Sequence, residues 1–264
     1  MIPLEKHSAL LPLGQWHWFE GGQGPALVLL PGFGDSKKTF VRLGRLLAQH
    51  FRVLLPDTPG FGDCEPMTPD QYALSLQVAR LHQWVEHLGL ESPWVGGNSS
   101  GGQIACLYGL TYPTETAGLI LLAPQGMADA EFKPYSHKPQ APQSGEDFEA
   151  VLKALYYQPP QMSQTQLAEL AERSAAKWDF LNQIRAVIRS EPAHQLNRLL
   201  TPLSCPTLVL WGQQDGRIPA RLAALWEAAS PKVKLELLEH CGHLPQLEQT
   251  EATAAAICHF AGST

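Results

Sequence analysis

The stretch that most constrains this chain is Pro93-Trp94-Val95-Gly96-Gly97-Asn98-Ser99-Ser100-Gly101-Gly102-Gln103. An apolar run enters a glycine-crowded turn and leaves into a segment carrying Ile104, Ala105 and Leu107. Inside it lies G-x-S-x-G. Between a strand and a helix this pattern makes a nucleophile elbow, a sharp, strained turn that lifts a serine hydroxyl above a sheet. Small residues on either side let the turn pass close to neighbouring backbone. The positive end of the following helix favours negative charge developing at the serine. Two serines adjoin, so the register must be chosen. Centring on Ser99 puts Gly97 and Gly101 at the flanking positions, whereas centring on Ser100 puts Asn98 there and breaks the pattern. Ser99 is therefore the expected nucleophile.

The rest of the chain supplies a sheet for such a turn. Strands are expected at Gln15–Glu20, Ala26–Leu30, Arg52–Leu55, Trp94–Gly97, Leu119–Ala123, Thr207–Trp211 and Val233–Leu238. The later ones are continuous apolar runs, as in parallel strands covered on both faces. Helices are expected at Thr39–His50, Asp70–Leu90, Ser100–Tyr112, Pro219–Ala229 and Glu248–Phe260. Thr68-Pro69-Asp70-Gln71 reads as the N-terminal cap of the second, and Gly89 as its C-terminal stop. This alternation predicts a doubly wound, mostly parallel α/β sheet.

One stretch breaks the rhythm. Residues 125–200 contain no good strand, and open on a loop with Pro134, Pro139 and Pro142. Helical patterns follow at Glu146–Tyr157 and Ser163–Ser190, the second starting on the capping box Ser163-x-x-Gln166. Leu167, Leu170, Ala171, Ser174, Trp178 and Leu181 form one stripe along it. The expectation is a helical cap inserted over one end of the sheet, with residues 1–124 and 201–264 as the core; a second independent domain is the alternative.

Composition excludes several roles. A chain of 264 residues buries about 70% of its extended surface, so it folds without a metal or disulfide. Charged residues are 17% of the chain, too few for a disordered or coiled-coil protein. The net charge of −6 argues against nucleic acid as a partner. Apolar runs stop at about five residues, against the roughly 20 of a membrane-spanning helix. Five cysteines without a C-x-x-C pair point to free thiols in a reducing compartment, and so to the cytoplasm. Oligomeric state is not legible.

A serine hydroxyl needs a base, and the base an orienting acid. In this type of fold the order is serine, acid, histidine. Asp215, after the apolar run Thr207–Trp211, is the expected acid; Asp35, Asp57 and Asp63 all precede Ser99. Glu239-His240-Cys241-Gly242-His243-Leu244-Pro245 offers two histidines. His243, between Gly242 and a Leu-Pro step, suits a tight loop turned towards the serine; His240 is expected to be structural. The two do not fit a metal site, since neither a third histidine nor H-E-x-x-H accompanies them. The loop Pro31-Gly32-Phe33-Gly34 follows an early strand and is expected to bring the Phe33 N–H beside that of Ser100 as a pair of oxyanion donors. Asp57-Thr58-Pro59-Gly60-Phe61-Gly62-Asp63 reads as a structural loop with Phe61 near the pocket.

These elements together resemble the α/β-hydrolase superfamily over residues from Trp16 to Phe260. Within it, P-G-F-G-D-S-K-K-T-F, G-G-N-S-S-G-G and E-L-L-E-H-C-G-H are similar to the monoacylglycerol-lipase-like and bacterial lipase branch. The resemblance implies an α/β-hydrolase fold with a helical cap, and a serine esterase or lipase that works through an acyl-enzyme without a cofactor or metal. The implied substrate is a small ester with an apolar acyl group. Gly32, Asn98, Tyr156, Trp178 and Leu244 are the candidate substrate contacts, and Phe132, Phe148, Tyr157 and Phe180 are further aromatics available to the pocket. Pro31 stands where many relatives have His, and Ser100 where many have Met. A carbon–carbon bond hydrolase of meta-cleavage products is the rival reading: it shares G-N-S-x-G-G, but usually has Trp where Leu244 stands. A ligand receptor on the same fold is a minor alternative.

Overall fold

The computed structural model describes residues 2–136, 138, 140–200 and 203–263. Pro139 of the expected loop, and Met1, Thr201 and Thr264 at the expected domain bounds, lie outside the described residues. Eight strands form one sheet: β1 Glu5–Leu11, β2 Gly14–Gly21, β3 Ala26–Leu30, β4 Arg52–Pro56, β5 Trp94–Asn98, β6 Gly118–Leu122, β7 Thr207–Gly212 and β8 Val233–Leu238. Their order is β1-β2-β4-β3-β5-β6-β7-β8. The β1–β2 and β2–β4 pairs are antiparallel and all the others parallel.

Seven of these strands match the expected runs to within a residue or two. The eighth, β1, was not anticipated. It is an edge strand with mostly exposed side chains (Glu5-Lys6-His7-Ser8-Ala9-Leu10-Leu11), held by its hairpin with β2 rather than by burial. A strand that buries little leaves no apolar run to read.

The helices are α1 Val41–Leu47, α2 Leu74–His87, α3 Ser100–Thr111, α4 Gly145–Leu155, α5 Gln164–Ala175, α6 Trp178–Ser190, α7 Ala223–Ala229, α8 Pro245–Glu248 and α9 Thr250–Gly262. They cover the sheet from both sides, which explains its continuous apolar runs. Alternate residues of one strand join opposite cores. Val28, Leu119, Leu121, Val209 and Trp211 pack with α2, α3 and α7, while Leu27, Ile120, Leu208 and Leu210 pack with α1 and α9. No helix among the described residues is long and apolar enough to cross a membrane.

Three expected helices are broken. Asp70–Leu90 divides at Ala73 (φ −52°, ψ 139°) into a 3₁₀ turn, Pro69–Tyr72, and α2. Thr68 makes no side-chain cap there. The cap comes from Glu191 instead, whose carboxylate accepts from the N–H groups of Leu74 (2.5 Å) and Ser75 (3.2 Å) and from the Ser75 hydroxyl (2.5 Å). That partner lies more than a hundred residues away and is invisible to a local pattern. At the other end Gly89 (φ +62°) closes the helix, with Gly89 N–H donating to Glu86 and Leu90 N–H to Val85. Ser163–Ser190 divides at Lys177 (φ −102°, ψ 0°), so the expected single stripe is shared between α5, which buries Leu167 and Ala171, and α6. The capping box of Ser163 and Gln166 is formed. Glu248–Phe260 divides at Gln249 into α8 and α9.

Helices α4, α5 and α6 lie between β6 and β7 and are pinned to the sheet side at several points. His243 N–H donates to the Leu155 carbonyl at the end of α4 (2.7 Å). Gln103 Nε2, on α3, donates to the Ala193 carbonyl (2.7 Å).

Candidate active site

Ser99 stands between β5 and α3 with φ 54° and ψ −117°, while Ser100 is the first residue of the helix. The strain falls on the serine that the motif register selects. It is enforced by crowding: a Cβ at Gly97 would lie 2.5 Å from the Leu30 carbonyl oxygen, and one at Gly101 would lie 2.3 Å from the same oxygen and 2.4 Å from that of Pro31. Both positions therefore require glycine. The loop after β3 packs against the serine, since a Cβ at Gly32 would meet Ser99 Cβ in ordinary contact at 3.6 Å.

Asp215 follows β7, and His243 follows β8. These adjacent parallel strands end side by side, and His243 Nδ1 lies 2.8 Å from Asp215 Oδ2. Both residues are buried, at 3% and 7% exposure. The carboxylate is fully occupied. Oδ1 accepts from the N–H groups of Arg217 and Ile218 (2.8 Å each), and Oδ2 accepts also from Trp211 Nε1 (3.1 Å). A carboxylate facing Nδ1 assigns the ring proton there and leaves Nε2 free to act as a base. His240 lies elsewhere, exposed at φ 54° with its ring against Tyr157.

Asn98 is placed behind the site rather than within it. Its buried amide donates to the carbonyls of Leu122 and His243 (3.0 Å each), tying the residue before Ser99 to the backbone of the histidine. Tyr156 follows the end of α4 beside the His243 loop. There Glu248 accepts from Tyr157 N–H (2.7 Å) and Gly242 N–H (2.8 Å). Trp178 donates from Nε1 to the Lys138 carbonyl (3.0 Å). Leu244 is buried at the N-terminus of α8. None of these four lines the two cavities described next.

The first cavity, of about 460 Å³ including its open mouth, is bordered by Ser99, Ser100, Phe33 and Phe132, and also by Lys133, Lys138, Arg185 and Arg217. The second, of about 310 Å³, shares Phe33, Ser100 and Tyr135 with the first and is otherwise largely apolar, with Phe61, Ile104, Ile184 and Ile188. Phe33 and Ser100, the expected oxyanion donors, thus stand where the two cavities meet. Tyr135, itself at φ 52°, has its hydroxyl near that of Ser100 without a hydrogen bond of normal geometry. Of the expected aromatics, Phe132 and Phe61 reach these walls. The basic residues were missed because they come from three separate segments and share no motif.

A second network went unread. Lys37, only 2% exposed, pairs with the fully buried Asp57 and with Asp63 (2.7 Å). Asp57 also accepts from the backbone N–H groups of Lys37 (2.7 Å) and Asp63 (2.9 Å). The Gly32–Gly34 loop is thereby held against the loop after β4. Removing one partner of a buried pair strands the other charge. Lys37→Met is expected to cost about 3–5 kcal/mol in urea unfolding, with part of that loss recovered when Asp57→Asn is added.

The comparisons place the chain in a known fold family. The alpha/beta hydrolase fold family matches residues 25–250. The chain belongs to that family. It is 30% identical to Lipase 1 of Psychrobacter immobilis over 239 residues, covering 88% of this chain and 75% of the lipase. It is 25% identical to monoacylglycerol lipase ABHD6 of Homo sapiens, covering 97% and 88% of the two chains. It is 27% identical to 2-hydroxy-6-oxo-6-phenylhexa-2,4-dienoate hydrolase of Burkholderia cepacia, covering 89% and 87%.

Proposed function

We propose that this α/β hydrolase cleaves carboxylic esters through an acyl-enzyme on Ser99, with His243 as base and Asp215 as its orienting acid. The observation that carries the reading is the buried Asp215–His243 hydrogen bond of 2.8 Å, tied through Asn98 to the strained serine turn. The ester carbonyl binds with its oxygen towards the N–H groups of Phe33 and Ser100, which stabilise the developing oxyanion by about 3–4 kcal/mol each. His243 Nε2 takes the Ser99 proton as the hydroxyl attacks, then hands it to the departing alcohol. Water enters, His243 removes its proton as the water oxygen attacks the acyl carbon, and the proton passes to Ser99 Oγ as the bond to the acyl group breaks and the acid leaves. Asp215 stays ionised throughout and stabilises the imidazolium. The apolar second cavity suits an acyl chain. Residues 125–200 act as a cap over the site in this reading. All five cysteines are free, which supports the cytoplasm or another reducing compartment.

The likeness to a dienoate hydrolase, together with Asn98 before the nucleophile, supports carbon–carbon bond hydrolysis as a second reading. One panel separates them: p-nitrophenyl esters of graded chain length, monoacylglycerols, and a meta-cleavage dienone. Multiple turnover on esters is the expected result. Cleavage of the dienone with no ester turnover overturns it, and a single labelling event without turnover points to a receptor.

A further inference from the structure

Arg185 sits in an unusual position for a guanidinium. It projects from α6, is 6% exposed, and pairs with no carboxylate among the described residues. Its hydrogen bond runs from Nη1 to Asn182 Oδ1 (2.9 Å), and its head lies over the rings of Phe33 (5.0 Å) and Trp178 (5.6 Å). A guanidinium carries five N–H donors, so most of its capacity is unspent. Burial, with Arg217 and Arg189 nearby, pushes its pKa down to about 10, which leaves it charged at neutral pH.

Its neighbours deepen the imbalance. Lys133, Lys138 and Arg217 border the same cavity, and none forms an ion pair with a carboxylate among the described residues. Lys133 Nζ donates to the Asp129 carbonyl. The closest acid to Arg217 in the chain, Asp215, already accepts from Trp211, His243 and two backbone N–H groups. The chain has 25 acidic and 19 basic residues, yet this wall gathers four bases and no acid. Like charges held together in a half-enclosed space are unfavourable unless an anion joins them. A wall built only for packing has no need of them.

We propose that this cavity is an oxyanion-recognition subsite for the substrate itself: the ester carries a carboxylate or phosphate, held by Arg185 with Lys138 and Arg217, within a few bonds of the carbonyl that Ser99 attacks. The inference rests on the ester-hydrolase reading and narrows its substrate. Arg185 presents the planar fork that pairs bidentately with either oxyanion. Because the two cavities meet at Phe33 and Ser100, the favoured substrate is amphiphilic, with its apolar part in the second cavity and its anionic part in the first.

The test compares matched substrates on the purified protein. One pair is mono-p-nitrophenyl glutarate against its methyl-capped diester; the other is a 1-acylglycerol 3-phosphate against the 1-acylglycerol. The kcat/KM ratio of anionic to neutral substrate is expected to exceed ten in at least one pair, and the pair that responds tells carboxylate from phosphate. Arg185→Gln should lower that ratio about 10- to 100-fold, the loss of a charge-assisted hydrogen bond. Lys6→Gln, on the exposed edge strand β1, should leave it unchanged. If Arg185→Gln does not fold, Lys138→Gln and Arg217→Gln, at more accessible positions, are read in the same way. Turnover of neutral esters with ratios near or below one, unmoved by these substitutions, overturns the subsite while leaving ester hydrolysis intact. Absence of turnover on all four esters overturns the ester reading beneath it.

Discussion

Ser99→Ala is expected to lower kcat on p-nitrophenyl esters by roughly 10⁴- to 10⁶-fold, while Ser100→Ala keeps most of the activity. Both serines border the same cavity, so proximity alone does not separate them. Backbone conformation does. Ser99 holds φ 54° and ψ −117°, whereas Ser100 begins an α-helix and is needed for its N–H, which alanine retains. The strain has a thermodynamic counterpart. A non-glycine residue in such a conformation costs about 1–3 kcal/mol. Alanine keeps that cost because it keeps Cβ. Ser99→Gly removes hydroxyl and strain together, against about 0.5–1 kcal/mol of added chain entropy in the unfolded state. Ser99→Gly should therefore be inactive yet melt about 2–6 °C higher than wild type, while Ser99→Ala melts close to it. An inactive Ser100→Ala beside an active Ser99→Ala would reverse the register.

Asp215→Asn is expected to lower kcat by about 10⁴-fold, with the fold intact and KM little changed. The four donors around the carboxylate decide this. Two backbone N–H groups, from Arg217 and Ile218, hold Oδ1 in place, so the asparagine oxygen takes that position. Its NH₂ then faces His243 Nδ1 and Trp211 Nε1, where an acceptor stood. The imidazole must present a lone pair at Nδ1 and carry its proton on Nε2, where it can no longer accept one from Ser99. The indole N–H loses its acceptor on this side but keeps the Ile218 carbonyl (3.3 Å), which limits the stability loss to about 1–2 kcal/mol. Kinetics together with thermal unfolding check both parts. A fall in kcat no larger than the fall in folded fraction would remove Asp215 from the mechanism.

Much of this was legible in the sequence because it is local or ordered along the chain. The elbow needs glycine at two positions that touch neighbouring backbone, so the motif survives as letters. The central strands need apolar residues on both faces, so they appear as uninterrupted runs. Asp215 and His243, the proposed acid and base, follow consecutive strands, so chain order singles them out before any coordinate does. What stayed hidden depends on partners far apart in sequence. Glu191 replaces Thr68 as the cap of α2 across more than a hundred residues. Asn98, expected to touch substrate, instead fastens the His243 loop. Lys37 finds Asp57 and Asp63 across α1 and β4. The edge strand β1 leaves no trace because its stability lies in backbone pairing.

The sequence by itself determined a mostly parallel α/β fold and the order of its candidate reactive groups, since covalent order and periodic burial are properties of the chain. Only the tertiary structure decided the polarity of the pocket. Lys138, Arg185 and Arg217 stand far apart in a chain of net charge −6, and composition averages them away. Folding brings them to one wall beside Ser99, and buries Arg185 there away from the water that would have made it ordinary.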